Sequence, residues 1–177
     1  MQPIINEINN MADLLDEAQV LDYVSEISKY LSIQNVKLNI IGLGAGRMGY
    51  ALRAFIMRLN HMGFNASMIG DTNVPRVTED SIIIVNSSSG ETPSILNFVK
   101  QAVTEKGIIF LTSCSSESSI GNYAHSIINL PVITSTQLMK SPYEQFSMLL
   151  YDYIIIKLME SLKLDPIKVS NNHSILE

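Results

Sequence analysis

The sequence predicts an α/β protein built as a three-layer α/β/α sandwich, with helices on both faces of a parallel sheet. Short β-rich apolar runs alternate with helical stretches from residue 38 to residue 162, and that alternation calls for parallel strands joined by right-handed crossovers. The stretch Leu38–Leu52, LNIIGLGAGRMGYAL, reads as a strand ending in a glycine-rich turn that opens a helix. At 177 residues and 46% hydrophobic, the chain can bury one full core and is too short for a cofactor domain plus a separate catalytic domain. One domain over residues 1–177 is expected.

Each element follows from its periodicity. Residues 1–33 place Ile4, Ile5, Ile8, Met11, Leu14, Leu15 and Ala18, then Leu21, Val24, Ile27 and Leu31, at helical spacing, as one long helix or two consecutive ones. The α/β core spans 34–163: an apolar run at Leu38–Ile41, a helix over Arg47–His61, a run at Ala66–Ile69 and a strong run at Ile82–Val85. A helix over Thr92–Lys106, runs at Ile108–Leu111 and Ser126–Leu130, and a helix over Pro142–Leu162 complete it. The tail, 164–177, is polar enough to lie outside the core.

Composition narrows the function. A formal charge of −5 with scattered Lys and Arg offers no basic stripe for a phosphate backbone, which argues against nucleic acid as a partner. Cys114 is the single cysteine, so no internal disulfide or cysteine metal cluster is expected and a reduced cytoplasm fits. The N-terminus lacks the pattern of a signal peptide, and FSMLLYDYIIIKLME is interrupted by Asp152 and Lys157, so no membrane association is expected. No His, Cys or acidic motif has metal-ligand spacing, so no metal is expected.

Three loops at strand ends carry the candidate chemistry, because ligands of open parallel sheets bind beyond the carboxyl ends of the strands. In the first, Gly44-Ala-Gly46-Arg-Met-Gly49 satisfies the dinucleotide spacing, and Asp71 falls about where a ribose-binding acid would. Arg47 inside that turn suits a phosphate or sugar oxygen instead. A plainer reading has three glycines packing helix on strand and a solvated Arg47. The second loop, VNSSSGETPS, gathers Ser87, Ser88, Ser89, Gly90, Glu91 and Thr92 before Pro93 at a helix start, which suits a dianionic phosphate monoester. A polar turn that merely caps the helix is its alternative. Two such loops favour a phosphorylated small molecule over NAD. The third, LTSCSSESSIG, would form a supporting wall.

Two residues keep double readings. Ser141, Pro142 and Glu144 fit an S-x-x-E capping box, yet Glu144 would also lie on the rim where it could move a proton between adjacent carbons. His61 fits either a helix C-terminal dipole partner, the favoured reading, or a general acid and base. His125 reads as structural and Cys114 as a small loop residue.

In order, GAGRMGYALRAFIMRLNHMGF, GDTNVP, SSSGETPSI, TSCSSES, YEQFSMLLYD and the closing NHSILE resemble the sugar isomerase (SIS) domain family and, within it, the 6-phospho-3-hexuloisomerases. The resemblance covers nearly the whole chain. It implies a five-stranded parallel sheet flanked by helices, a cytoplasmic homo-oligomer (tetramer or dimer), and a phosphorylated sugar substrate without a cofactor. The implied reaction, in a ribulose monophosphate pathway, interconverts 3-hexulose 6-phosphate and fructose 6-phosphate through a cis-enediol. By the same resemblance Arg47 contacts substrate, Ser87, Ser89, Gly90, Glu91 and Thr92 form the phosphate loop, Glu144 is the base, and His61 assists ring opening or hydroxyl binding. His173 matches a tail histidine. Three positions depart from the family pattern: Met48 for a Ser, Ser88 for the first Gly of the phosphate loop, and Lys140 for the Gly before Ser141. If that first Gly serves a positive φ, Ser88 loosens the phosphate fit, whereas Lys140 adds a cation near the site.

Overall fold

The computed structural model describes residues 1–33 and 38–173. Two N-terminal helices, α1 (Gln2–Leu14) and α2 (Glu17–Leu31), precede β1 (Asn39–Gly44), α3 (Gly46–His61), β2 (Asn65–Met68), β3 (Ser81–Asn86) and α4 (Pro93–Thr104). Then come β4 (Ile108–Ser113), a short 3-10 turn (Gly121–Tyr123), β5 (Ser126–Asn129), α5 (Ser141–Ser161) and α6 (Pro166–Asn171). The N-terminal stretch divides because Asp16 caps α2, its carboxylate accepting from the Ala18 N–H at 3.0 Å.

The five strands form one parallel sheet in the order β2-β1-β3-β4-β5. β3, SIIIVN, lies at its centre and is buried at every residue, as a strand covered on both faces must be. Alternate side chains serve alternate faces. Ile40, Ile82, Ile84 and Phe110 pack with α2, α3 and α5, whereas Ile41, Leu43, Ile83 and Val85 pack with Ile95 and Val99 of α4. Phe55 of α3 stacks on Tyr151 of α5 with centroids 4.8 Å apart, joining the two helices that reach the sheet's carboxyl edge.

Two boundaries differ from expectation. β1 continues past Ile41 through Gly44, because the glycines there are sites of close approach: a Cβ on Gly49 would sit 2.6 Å from the Gly44 carbonyl oxygen. The tail also folds back further than its polarity suggests. Asp165 caps α6 by accepting from the Ile167 N–H at 2.9 Å, and Leu164 and Val169 pack against the core. The last four residues of NHSILE lie outside the described residues. Among the described residues no helix is long and apolar enough to cross a membrane.

Candidate active site

The strand order fixes where a ligand can sit. β1 is followed by β2 on one side and by β3 on the other, so the chain reverses its direction of sheet growth between β1 and β3, and such a switch point opens a crevice at the carboxyl edge. Gly44 at the end of β1 is in register with Asn86 at the end of β3, which is in register with Thr112 of β4. The three loops singled out in the sequence therefore leave from neighbouring strands.

Arg47, in the first turn of α3, reaches α5. Its Nη1 lies 3.0 Å from Glu144 Oε2 and donates to Ser141 Oγ, also at 3.0 Å. The Glu144 side chain is 13% exposed against 60% for Arg47, so the carboxylate is the sheltered partner. The ion pair is a charge contact and not an aligned hydrogen bond: among the described residues, Glu144 Oε2 is buried and accepts no hydrogen bond. This overturns the capping-box reading. α5 starts one residue earlier than that box requires, with Lys140 as N-cap and no side-chain cap, and the Ser141 hydroxyl donates to the Leu138 carbonyl at 2.8 Å. The Glu144 carboxylate is thereby left facing Arg47. The plainer reading of Arg47 holds in part, since its side chain is 60% exposed and the glycines around it do pack helix on strand, but the guanidinium is also engaged by Glu144 and Ser141.

The serine turn is held from below. Ser87 N–H donates to the Thr112 carbonyl at 3.1 Å, and the Ser88 carbonyl accepts from Cys114 N–H at 2.9 Å and Ser113 Oγ at 3.3 Å. Gly90 adopts φ +64, and a Cβ there would lie 2.4 Å from Ser118 Cβ, so only glycine fits. Ser88 is absent from the positive-φ positions, so replacing the family glycine there imposes no strain. Thr92 is the N-cap of α4 without a side-chain cap, its hydroxyl lying 3.3 Å from Ser87 Oγ. The N–H groups of Ser88 and Ser89 have no partner among the described residues. Hydroxyls and amides thus collect at a helix N-terminus, the arrangement an anion needs. Glu91 turns elsewhere: its carboxylate accepts from Ser119 N–H at 2.6 Å, which also holds it below the usual carboxylate range, so it is a strut to the third loop.

His61 is not part of this cluster. It ends α3 while Arg47 begins it, and fourteen residues at about 1.5 Å of rise separate them by roughly 21 Å. There its ring lies 5.1 Å from that of His173, and Asn172 Nδ2 donates to its carbonyl at 2.8 Å. Asp71, the ribose candidate, is held by Arg53 at 2.8 Å and by the Met68 N–H at 3.0 Å. Burial pushes the Cys114 thiol up to about 11 against the charge of Lys140, so it is a poor nucleophile. Among the described residues no three His, Cys, Asp or Glu gather as a metal site.

One group escaped the sequence reading. Asn86, 1% exposed, donates through Nδ2 to the Met48 carbonyl at 3.0 Å and to Ser147 Oγ at 3.3 Å. Its Oδ1 accepts from the Tyr143 hydroxyl at 2.6 Å. Met48 therefore contributes its backbone, which a Ser-to-Met departure leaves intact.

No protein-family model matches the chain. Over 186 residues it is 36% identical to a Bacillus subtilis protein named 3-hexulose-6-phosphate isomerase, covering 98% of this chain and 95% of that protein. The chain belongs to the 3-hexulose-6-phosphate isomerase family. A Methanocaldococcus jannaschii protein with the same name is 33% identical over 131 residues, which is 73% of this chain and 72% of that one. The crystal structure of a Methanococcus jannaschii protein, from which a molecular function of 3-hexulose-6-phosphate isomerase was inferred, superposes with a TM-score of 0.82. It is 28% identical and covers 99% of this chain and 98% of its own. The family's five-stranded α/β/α architecture is thus the one found here.

Proposed function

We propose that the protein is a phosphosugar isomerase that interconverts 3-hexulose 6-phosphate and fructose 6-phosphate by proton transfer through a cis-enediol. The phosphate ester binds at Ser87, Ser88, Ser89, Gly90 and Thr92, where the α4 N-terminus supplies donors and the positive end of its dipole. Glu144 takes the proton from the carbinol carbon beside the carbonyl. The C–H electron pair forms the carbon–carbon double bond, the carbonyl π pair moves to its oxygen, and that oxygen takes a proton from solvent to become a hydroxyl, a proton matched by the one the neighbouring hydroxyl releases to solvent in the second half. Returning the proton to the former carbonyl carbon while the neighbouring hydroxyl loses its own completes the exchange. Arg47 stands beside the carboxylate, suited to the oxygen on which charge grows.

The observation that supports this reading best is the sheltered Glu144 oxygen, 3.0 Å from Arg47 and free of helix capping. A role for His61 in the same reaction requires that it come from another copy of the chain, which favours a homo-oligomer, dimer or tetramer. A cytoplasmic enzyme of a ribulose monophosphate pathway would meet this substrate. The test is an NMR time course with fructose 6-phosphate in deuterated water. Deuterium should enter at the carbons beside the carbonyl as 3-hexulose 6-phosphate forms; binding without exchange would refute the isomerase and leave a sugar-phosphate sensor.

A further inference from the structure

We infer that Asn86 is a positioning residue that sets the spacing between Arg47 and Glu144 by strapping together the first turns of α3 and α5. The inference rests on the proposed reaction for its catalytic consequence, but its geometry stands alone. Asn86 is the last residue of β3, which is buried at every residue and paired on both sides, so its backbone is a well-packed support at the carboxyl edge. From there both amide N–H groups and the amide oxygen bond to two helices. One N–H goes to the carbonyl of Met48, the neighbour of Arg47. The other goes to Ser147 Oγ, which in turn donates to the carbonyl of Glu144 at 3.0 Å. Oδ1 takes the hydroxyl of Tyr143, the neighbour of Glu144, at 2.6 Å, and that hydroxyl also lies 2.8 Å from the Thr112 carbonyl of β4.

The side chains in this strap are inaccessible: Asn86, Tyr143 and Ser147 are 1%, 3% and 0% exposed. Burial also holds the Tyr143 phenol well above its usual range, so it stays a donor. Buried amides with complete partners fix geometry, because any shift leaves a polar group unpaired.

What the strap prevents follows from the pair it spaces. A guanidinium and a carboxylate left to themselves settle into a bidentate, fully hydrogen-bonded fork. Here Arg47 donates to Ser141 and meets Glu144 Oε2 only as a charge, and that oxygen accepts no aligned bond. With the two helix starts tied to β3, the pair cannot close, and the carboxylate keeps a lone pair for a substrate proton. Without the tie, Arg47 occupies both oxygens and the base is engaged.

The test uses the full chain and three variants. Asn86→Ala cuts every link; Ser147→Ala cuts one on the α5 side, away from the phosphate turn, and protects the test if Asn86→Ala does not fold, whereas Tyr143→Phe also removes a contact to the Thr112 carbonyl that holds that turn. Saturating-substrate turnover should fall about 10- to 100-fold in Asn86→Ala and less in Ser147→Ala, while KM changes by less than about threefold, as expected when a general base is misplaced but substrate is still held. Adding Ser147→Ala to Asn86→Ala should cost turnover nothing further, because both cut one strap. Additive losses, or a rise in KM matched by no loss of turnover, would overturn the inference. A crystal structure of Asn86→Ala or, failing that, Ser147→Ala gives a readout independent of activity. A forked Arg47–Glu144 pair is expected, and an unchanged single 3.0 Å contact would overturn the strap even if the wild-type protein proved to be no isomerase.

Discussion

Glu144→Gln separates chemistry from stability, and the structure says how far apart the two effects should lie. Gln keeps the volume and the helix start, since Glu144 caps nothing in α5. What it removes is the negative partner of Arg47 and the capacity to accept a proton. The charge left behind, on Arg47, is 60% exposed and hydrated, and the neutral Gln amide leaves no charge in the sheltered position, so the loss should stay near that of exposed pairs, about 0–1 kcal/mol. In a domain of 177 residues that corresponds to a melting-temperature loss of about 4 °C at most. Losing a general base costs about 100- to 10,000-fold in turnover. The variant should therefore be folded, bind the phosphosugar with nearly unchanged affinity by calorimetry, and show at least a 100-fold slower deuterium exchange by NMR. Exchange within about threefold of wild type would refute Glu144 as the base. A melting loss well beyond 4 °C would instead reveal a structural role that the missing cap argues against.

Other perturbations probe the rest of the site. Gly90→Ala places a Cβ 2.0 Å from Ser118 Oγ at a φ of +64, so it should destabilise by about 2 kcal/mol or more and abolish phosphosugar binding, as denaturation and calorimetry would record. Ser88→Gly restores the family residue where no positive φ is required, so it should lose about 0.5–1 kcal/mol through the unfolded chain and gain no affinity. Glu7 accepts from Gln137, Thr136 and Ser135, which lowers its carboxyl from 4.5 to about 2. A depressed folded value means the contribution is present above pH 4.5 and lost as pH falls toward 2, so the melting advantage of wild type over Glu7→Gln should shrink across that window. Mixing His61→Ala with Glu144→Gln subunits should restore exchange that neither shows alone, if His61 serves a neighbouring copy's site; no restoration after subunit exchange would exclude it.

The sheet was legible because its strands are β-branched runs closed by glycine and serine turns, a local signal that survives without tertiary context. Boundaries slipped where glycine extended a strand, as in β1, whose last residues are dictated by the approach of Gly49 and not by propensity. Glu144 had two readings because S-x-x-E spacing is identical for a cap and for a rim carboxylate. What broke the tie was a one-residue shift of the N-cap from Ser141 to Lys140, which follows a turn in which Met139 takes φ +56. The distance between Arg47 and His61 was available from helix length alone, since opposite ends of one sixteen-residue helix cannot meet. Asn86 had no local signal whatever: its partners are 38, 57 and 61 residues away.

That placement explains how one edge can serve two tasks. Ser87, the next residue after Asn86, begins the turn that is bolted to β4 and the third loop through Thr112, Ser113, Cys114 and Ser119. Asn86 itself ties the other way, to α3 and α5. The proposed phosphate cradle and proton-moving pair therefore share one strand end and hang from largely different bonds, meeting at Tyr143, whose hydroxyl reaches both Asn86 Oδ1 and the Thr112 carbonyl that holds Ser87 N–H. Damage to the serine turn should raise KM, and damage to the strap at Asn86 or Ser147 should lower turnover, with Tyr143→Phe the change expected to touch both. On the proposed reading, a sugar held at one end by its ester and met at the other by the Glu144 carboxylate would present only the carbons between them, and a single acidic side chain would suffice to choose them.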